Sequence, residues 1–197
     1  MSPGEAGAKK HDSIVQRYAA SDSDLQAILQ ALPEPRSDLV RALLYLQECL
    51  NGKRLARDAI AAAQAVPMEG ADPELLILML SRWAELSCRI TRPAQAETLI
   101  HRARAVLSDS TRPEIRACVM LVESVLADAA GDKSRREQIL RDILKFLPTS
   151  SLRRKFYVWE LALFLAQQGR GVEMDPDLKS LARQCNAQFR QDRLLLI

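Results

Sequence analysis

The sequence contains few of the residue types on which most catalytic and metal sites depend. Its only histidines are His11 and His101, too few to build a histidine-based metal site or catalytic triad. It has neither a glycine-rich phosphate loop ending in Lys-Ser or Lys-Thr nor a Gly-x-Ser-x-Gly nucleophile elbow. We therefore expect a protein that is not an enzyme and that has no catalytic residues, no metal site and no cofactor.

Paired cysteines and long apolar runs are also missing. The four cysteines lie far apart in the sequence, at Cys49, Cys88, Cys118 and Cys185. Without a C-x-x-C pair, they favour buried thiols in a reducing cytoplasm over a zinc site or a disulfide framework. Charge-free apolar runs such as 75–80 fall far short of the roughly 20 residues needed to cross a bilayer. Residues 1–11 contain no apolar core of a signal peptide. These features predict a cytoplasmic protein.

Neither sign of charge dominates the chain. It has 28 lysines and arginines against 25 aspartates and glutamates, a net charge of +3, whereas a dedicated nucleic-acid-binding domain is strongly basic. Hydrophobic residues make up 48% and charged residues 27% of the 197 residues, an ordinary globular composition for one domain. We expect the partner to be another polypeptide rather than nucleic acid.

Helix start signals recur along the chain, whereas alternating β-branched runs bounded by hairpin turns are almost absent. Ser37 precedes one apolar run, and proline occupies the first helical position of two others, at Pro73 and Pro113. The pattern predicts an all-α protein of about nine helices. It also predicts a flexible tail at 1–11 and one helical-repeat domain at 12–197.

Similar residues recur at a fixed offset along the sequence, from position 56 to position 96 and then to position 136. The clearest matches are three triplets in register: Ala56, Ile60 and Ala63; Ala96, Ile100 and Ala103; and, more loosely, Arg136, Leu140 and Ile143. The spacing within a triplet, four and then three, puts its members on one helical face, where alanine lets a neighbouring helix approach closely. Chance recurrence of the abundant Ala and Leu is the alternative. Hairpins are predicted at about 37–67, 72–108, 112–148 and 150–190.

The third hairpin carries a resemblance to the tetratricopeptide (TPR) repeat. It has Gly131-Asp132 at its turn, Leu140 and Ile143 inside and Pro148 at its end. The second hairpin departs with Thr91-Arg92 at its turn, and Arg136 replaces a small residue in the third. The offset also exceeds the period of a TPR, so a HEAT-like array, whose repeats are longer, is the competing label. The resemblance covers about residues 37–168 and implies a right-handed solenoid of antiparallel helical hairpins.

Proteins of the TPR type bind a peptide in a concave groove lined by the first helix of each hairpin. Carried over onto this sequence, the resemblance implies an adaptor, scaffold or chaperone with two sets of partner-binding residues. The charged set is Arg41, Tyr45, Glu48, Arg82, Glu85 and Arg89, and the apolar set is Leu121, Val122, Val125 and Asp128. The alternative for the second set is burial on every side, because the helix at 115–130 is apolar almost all round.

A second candidate surface is a basic patch between residues 133 and 155. It holds Lys133, Arg135, Arg136, Arg141, Lys145, Arg153, Arg154 and Lys155. Such a patch can steer nucleic acid or an anionic surface, which makes a regulatory module the alternative function. A run of this kind is more often a solvated helix face with partial ion pairing.

The chain ends in an apolar stretch, from Leu194 to Ile197. A free apolar end is costly in water unless it docks. We expect it to cap the last hairpin, to fill the groove in cis or to join two copies in a homodimer, in which the terminal helices would also take part.

Overall fold

A computed structural model of the chain describes residues 14–18, 25–30 and 37–170. Three sequence predictions lie outside these residues: the tail at 1–11, the part of the last hairpin (about 150–190) beyond residue 170, and the docking of the apolar end from Leu194 to Ile197. The assignment of 12–197 to a single domain stays a prediction.

The described residues form nine helical segments and no strand. The first two are α1 (residues 14–18) and α2 (Leu25–Gln30). They are followed by α3 (Asp38–Leu50), α4 (Ala56–Gln64), α5 (Pro73–Arg89), α6 (Pro93–Val106), α7 (Pro113–Ala129), α8 (Lys133–Phe146) and α9 (Arg154–Gln167). The all-α prediction is confirmed for this part of the chain.

Side-chain caps and prolines fix where several helices begin. Asp72 and Asp132 each accept a hydrogen bond from the backbone N–H three residues further on, at 2.9 Å in both cases. Each carboxylate thereby satisfies one of the amides that the first helical turn leaves unpaired. Helices α5, α6 and α7 begin with proline, whose missing N–H costs nothing at this position. The starts at Pro73 and Pro113 differ by the offset found in the sequence.

Four helices, α3, α5, α7 and α9, end in the same backbone turn. The residue after each C-cap has a positive φ, and these residues are Gly52, Thr91, Gly131 and Gly169. The Gly131 N–H donates to Asp128 O at 2.9 Å, and the Asp132 N–H donates to Ala127 O at 2.9 Å, the two bonds of a Schellman motif. Thr91 adopts the same conformation, with a φ of 58°, although a β-branched side chain is strained there. The turn after α5 therefore has the same backbone geometry as the other three, although it contains threonine in place of glycine.

Consecutive helices pack in pairs, and the pairs contact one another in chain order. Helix α3 contacts α4, α5 contacts α6, and α7 contacts α8, while α5 also contacts α3 and α7. The second helices bury small residues fully, namely Ala59, Ala63, Ala96 and Ala103. Small side chains shorten the distance at which two helices pack. The right-handed solenoid stays a prediction.

The buried apolar side chains form two clusters. The larger cluster extends from α1 to α7, and the smaller one joins α7, α8 and α9 through residues such as Leu140 and Phe164. Ile14, Val15 and Tyr18 of α1 belong to the larger cluster. This short segment is therefore packed into the core built by helices far from it in the sequence.

Candidate partner-binding face

Helix α1 buries one side of itself against the rest of the protein. Ile14, Val15 and Tyr18 are 1%, 1% and 3% exposed, whereas Gln16 and Arg17 are exposed. Their spacing, one and then three, places the buried side chains on one face of a helical turn. Helix α1 is thus a short amphipathic helix whose apolar face is seated on other helices.

Tyr18 makes the polar contacts of this seat. Arg82 Nη2, from α5, donates to the Tyr18 hydroxyl at 3.1 Å, and Cys118 Sγ, from α7, lies 3.2 Å from the same oxygen. Arg153, which immediately precedes α9, donates from Nε to the Tyr18 carbonyl oxygen at 2.7 Å. Its guanidinium carbon also lies 3.9 Å from the Tyr18 ring centroid, within cation–π range. We call the surface formed by Arg82, Cys118 and Arg153 the Tyr18 site.

A chain of charged hydrogen bonds extends the Tyr18 site along α5. Arg82 Nη1 donates to Glu85 Oε2 at 2.7 Å, and Arg89 Nη2 donates to Glu85 Oε1 at 2.7 Å. Arg89 Nη1 then donates to Leu50 O, at the end of α3, at 2.7 Å. Because the spacing on α5 is three and then four, the three side chains share one helical face. The network therefore links α3, α5 and α1.

Burial keeps the two phenols of this region neutral. It raises the pKa of Tyr18 well above the ordinary value of 10.0, and the neighbouring Cys118 thiol raises this pKa further, whereas Arg82 and Arg153 lower it. Burial first, and then Cys118, also raises the pKa of Tyr157 well above its ordinary value. At neutral pH both hydroxyls consequently keep their protons and can donate hydrogen bonds.

Cations outnumber anions among the described contacts of this network. Burial lowers the pKa of Arg82, but the contacts with Tyr18 and Glu85 raise it more, so the Arg82 pKa lies well above its ordinary value and the guanidinium stays charged. Arg89 and Arg153 are two further cations, and Glu85 is the carboxylate that Arg82 and Arg89 share. Within the described residues, the buried Arg82 Nε has no hydrogen-bond partner.

No protein-family model matches the chain, and neither a curated protein nor a solved structure matches it. In the part of the chain that the structure describes, no group of three or more His, Cys, Asp or Glu is placed to hold a metal ion. None of the helices described above is both long enough and apolar enough to cross a membrane.

The charged set predicted from the sequence divides into two groups. Arg82, Glu85 and Arg89 lie together in the network described above. The other three, on α3, are engaged elsewhere: Arg41 pairs with Asp38 of its own helix, and both Tyr45 and Glu48 contact Arg54. The Arg54 guanidinium carbon lies 3.5 Å from the Tyr45 ring centroid, and its Nε lies 2.7 Å from Glu48 Oε2.

The apolar set on α7 is largely engaged in packing. Leu121 is half-buried against the smaller core cluster, Val122 is buried, and Val125 is half-buried. Asp128 Oδ2 lies 2.6 Å from Arg136 Nη1. These contacts favour burial over partner binding for this set.

Arg136 occupies a helix contact where the TPR pattern has a small residue. Its side chain is only 14% exposed, and its guanidinium carbon lies 5.0 Å from the Phe164 ring centroid. Together with its ion pair to Asp128, this cation–π contact explains how the α8–α9 interface accommodates an arginine.

The basic patch does not form one free cationic surface. Arg141 pairs with Glu137 at 2.8 Å, and Lys145 pairs with Asp142 at 3.1 Å. The remaining residues also differ in environment: Lys133 donates to Gln168, Arg154 donates to Leu147 O, Arg153 contacts Tyr18, and Arg135 and Lys155 are exposed. Hydrogen bonds from Arg170 and then Arg141 lower the pKa of Glu137, so its carboxylate remains charged beside these cations.

The sequence did not single out Tyr18 or Cys118 as site residues, and it assigned Arg153 only to the basic patch. The prediction of a helical domain at 12–197 includes this part of the chain, but nothing in its local sequence shows where α1 docks. The one available signal was the spacing of Ile14, Val15 and Tyr18 beside the exposed Gln16 and Arg17, the pattern of an amphipathic helix.

Proposed function

We propose that this chain is a protein–protein interaction module that binds a short amphipathic helix of a partner polypeptide at the Tyr18 site, as an adaptor, scaffold or chaperone does. The observation that carries the proposal is the seating of α1. Three side chains of this short helical segment are buried there, against contacts from α5, α7 and the start of α9. A surface that accepts an amphipathic helix from its own chain has the shape and chemistry to accept one from another chain.

The repeated helix pairs support a TPR-like array as the scaffold of this site. Helices α5 and α7 have equal lengths, and so do α6 and α8, and the starts of both pairs differ by the same offset. The shared Schellman turns recur at a similar spacing as far as Gly169, at the end of α9. In a right-handed solenoid of such pairs, the first helices would lie side by side and line one concave surface. Tyr18 contacts the first helix of two of these pairs, through Arg82 on α5 and Cys118 on α7, and it also contacts Arg153, which immediately precedes α9.

The polar contacts of the site fit a surface that can be either occupied or open. When a helix is seated, Arg82 and Cys118 have partners on it, and when the helix leaves, water can replace those partners. An entirely apolar surface could not form hydrogen bonds with water in this way and would leave an exposed apolar patch, which promotes aggregation. Buried aromatic and arginine side chains are also the residues that dominate binding energies at protein interfaces.

Nucleic-acid binding through the basic patch is less well supported. Arg141 and Lys145 pair with acids on their own helix, and Arg153 and Arg154 donate to backbone carbonyls. A phosphate backbone would have to compete with these partners. No stacking aromatic is evident on the exposed surface of α8, apart from Phe146, which is 41% exposed and lies 5.9 Å from Arg116.

A peptide-binding measurement tests the proposal. The probe is a labelled peptide with the sequence of residues 12–20, DSIVQRYAA, and the protein is the full chain with Ile14→Ala and Tyr18→Ala, which weaken its own α1. We expect saturable binding by fluorescence anisotropy below about 1 mM, a Kd that corresponds to about −4 kcal/mol.

Two further substitutions locate the binding surface. Arg82→Ala, added to the same chain, should weaken the peptide by about tenfold, the effect of about 1.4 kcal/mol. Arg57→Ala is the matched control, because the Arg57 side chain is 82% exposed on α4 and pairs only with its neighbour Asp58 among the described contacts. Absence of saturable binding to the Ile14→Ala, Tyr18→Ala chain, with its helical circular dichroism intact, would contradict the proposed function.

A further inference from the structure

We infer that the protein has a second ligand site, a cleft beside Trp83 that binds a small apolar α-amino acid in its zwitterionic form. The cleft is formed by the end of α4, the connection 65–72, α5 and α6. The ligand's carboxylate would contact Arg102, its ammonium group would contact Glu69, and its side chain would pack on the apolar wall. The residues of this cleft are separate from those of the Tyr18 site, so the inference goes beyond the proposed function.

The size and lining of the cleft suit such a ligand. Its volume is about 540 Å³, within the range of roughly 300–1,000 Å³ that is usual for small-molecule sites. Its apolar residues include Val66, Met68 and Trp83, and both Val66 and Trp83 are 5% exposed. The charged residues of the lining, Glu69 and Arg102, are exposed. An apolar wall with a few polar groups beside it is the usual composition of a site for a small ligand.

Two nitrogen donors of the cleft residues lack a good acceptor. Trp83 Nε1 is buried and has no hydrogen-bond partner within the described residues. Buried donors almost always have a partner in folded proteins, so the unpaired indole N–H indicates a place for an acceptor. The described polar contact of the Arg102 guanidinium is with Met68 Sδ, and a thioether is only a weak acceptor. A carboxylate that enters the cleft would give this guanidinium a charge-assisted hydrogen bond instead.

The two charges of the cleft favour a zwitterion over other anions. Glu69 and Arg102 both line the cleft, and no ion pair joins them among the described contacts. A free α-amino acid carries one carboxylate and one ammonium group at neutral pH, so it complements both residues. A phosphate dianion would be attracted by Arg102 but repelled by Glu69. A fatty acid or a simple amine would leave one of the two charges without a partner.

The equivalent positions of the next hairpin hold an ion pair. The repeat offset carries Gln64 to Arg104 and Trp83 to Glu123. Arg104 Nε lies 2.5 Å from Glu123 Oε1, so that hairpin pairs its charges internally where the cleft has a glutamine and a tryptophan. Arg104 also provides a matched control for Arg102, because both are exposed arginines on α6 and only Arg104 has an acidic partner among the described contacts.

The indole N–H groups of the chain make the cleft observable by NMR. The sequence has two tryptophans, Trp83 and Trp159, and a Trp159→Phe chain assigns their signals. L-leucine is titrated into the isotope-labelled full chain at about pH 6.5, where an α-amino group is protonated. Two analogues each lack one charge: N-acetyl-L-leucine has no ammonium group, and L-leucinamide has no carboxylate. The variants are Arg102→Gln and Glu69→Gln, with Arg104→Gln as the control.

A zwitterion site predicts a distinct pattern of affinities. Leucine moves the Trp83 indole signal with a Kd below about 1 mM and leaves the Trp159 signal in place. Each analogue binds about tenfold more weakly than leucine, because one charged contact is lost. Arg102→Gln weakens leucine and N-acetyl-leucine but not leucinamide, and Glu69→Gln weakens leucine and leucinamide but not N-acetyl-leucine. Arg104→Gln leaves every Kd unchanged.

Other results overturn the inference. If no probe moves the Trp83 signal at concentrations up to about 10 mM, the cleft is not a ligand site. N-acetyl-leucine that binds as tightly as leucine would make the ligand a simple carboxylate, and leucinamide that binds as tightly would make it an amine. Equal movement of both indole signals, unchanged by Arg102→Gln, would show non-specific binding. Each of these outcomes leaves peptide binding at the Tyr18 site unaffected, so failure here is distinguishable from failure of the proposed function.

Discussion

Two arginine-rich regions of this protein look alike in composition and differ in what their arginines do. Around the Tyr18 site, Arg82 and Arg153 contact a segment that is 64 and 135 residues away from them in the sequence. On α8, Arg141 pairs with Glu137 one turn away and Lys145 with Asp142. The first kind of contact connects the fold to a distant segment, while the second stabilises only the helix that carries it. Density of charge along the chain is therefore a poor guide to a site, and buried long-range contacts are a better one.

Removing Arg82 should destabilise the protein more than truncating Tyr18, Arg141 or Lys145. Its side chain is 17% exposed, and it serves both Glu85 and the Tyr18 hydroxyl. We expect Arg82→Ala to lower the free energy of unfolding by about 3 kcal/mol, because it breaks a largely buried ion pair. Urea denaturation followed by circular dichroism measures this change. A loss below about 1 kcal/mol, typical of exposed pairs, would make the two regions equivalent.

Truncating Tyr18 should have the next largest effect and should act mainly on α1. Tyr18→Ala removes a buried ring and is expected to cost about 2 kcal/mol, less than a fully core aromatic because α1 can detach. Tyr18→Phe loses only the hydroxyl contacts with Arg82 and Cys118 and should cost about 1 kcal/mol. Equal stabilities of the alanine and phenylalanine variants would indicate that the ring is not held in the site.

Alkaline pH should destabilise the protein through the two buried phenols of the Tyr18 region. The pKa values of Tyr18 and Tyr157 are raised in the folded state, mainly by burial. Their contribution to stability is therefore complete below pH 10.0, the ordinary pKa, and is lost as pH rises through the higher folded values. Denaturation profiles between about pH 8 and about pH 11 should fall less steeply for a Tyr18→Phe, Tyr157→Phe chain than for the wild type. Parallel profiles would contradict this assignment.

The turns that border the two regions provide a control that touches neither set of arginine contacts. Thr91 follows α5 and Gly131 precedes α8, and both have a positive φ. Thr91→Gly should raise the free energy of unfolding by about 1 kcal/mol, because it relieves backbone strain, and Gly131→Ala should lower it by a similar amount. Neither change should alter peptide affinity. A destabilising Thr91→Gly would show that the threonine is not strained.

The smallest effect is expected at the two exposed ion pairs within α8, Arg141–Glu137 and Lys145–Asp142. The Arg141 and Lys145 side chains are 42% and 71% exposed, so solvent screens their ion pairs. Arg141→Ala and Lys145→Ala should each change stability by about 0.5 kcal/mol or less. Both should leave the affinity for the DSIVQRYAA peptide unchanged, in contrast to Arg82→Ala. A loss of peptide binding in either variant would extend the binding face to α8.

The helices were largely predictable because their boundaries have local causes. Proline at the first helical position correctly indicated where α5 and α7 begin. Caps and turns act over one helical turn, within reach of a sequence pattern. The strained Thr91 turn was harder to predict, because no side-chain preference indicates a positive φ for threonine.

The candidate site was only half predictable. Arg82, Glu85 and Arg89 share a helical face through their spacing on α5 and contact one another, whereas their role in partner binding stays a prediction. The contacts of Tyr18 with Cys118 and Arg153 span 100 and 135 residues, and no local periodicity records which distant helices meet. The engagement of Glu48 with Arg54 and of Asp128 with Arg136 depends on the same tertiary information.

The most direct test of the account is to locate where an amphipathic helix binds. In the DSIVQRYAA peptide, the diazirine amino acid photo-leucine, which is close to isoleucine in size, would replace the isoleucine, the tyrosine would be kept, and the peptide would be irradiated with the full Ile14→Ala, Tyr18→Ala chain. Mass spectrometry should find crosslinks on α5 near Arg82 and on α7 near Cys118, and excess unlabelled peptide should suppress them. Crosslinks concentrated on α8, or scattered over the surface and insensitive to competition, would contradict binding at the Tyr18 site.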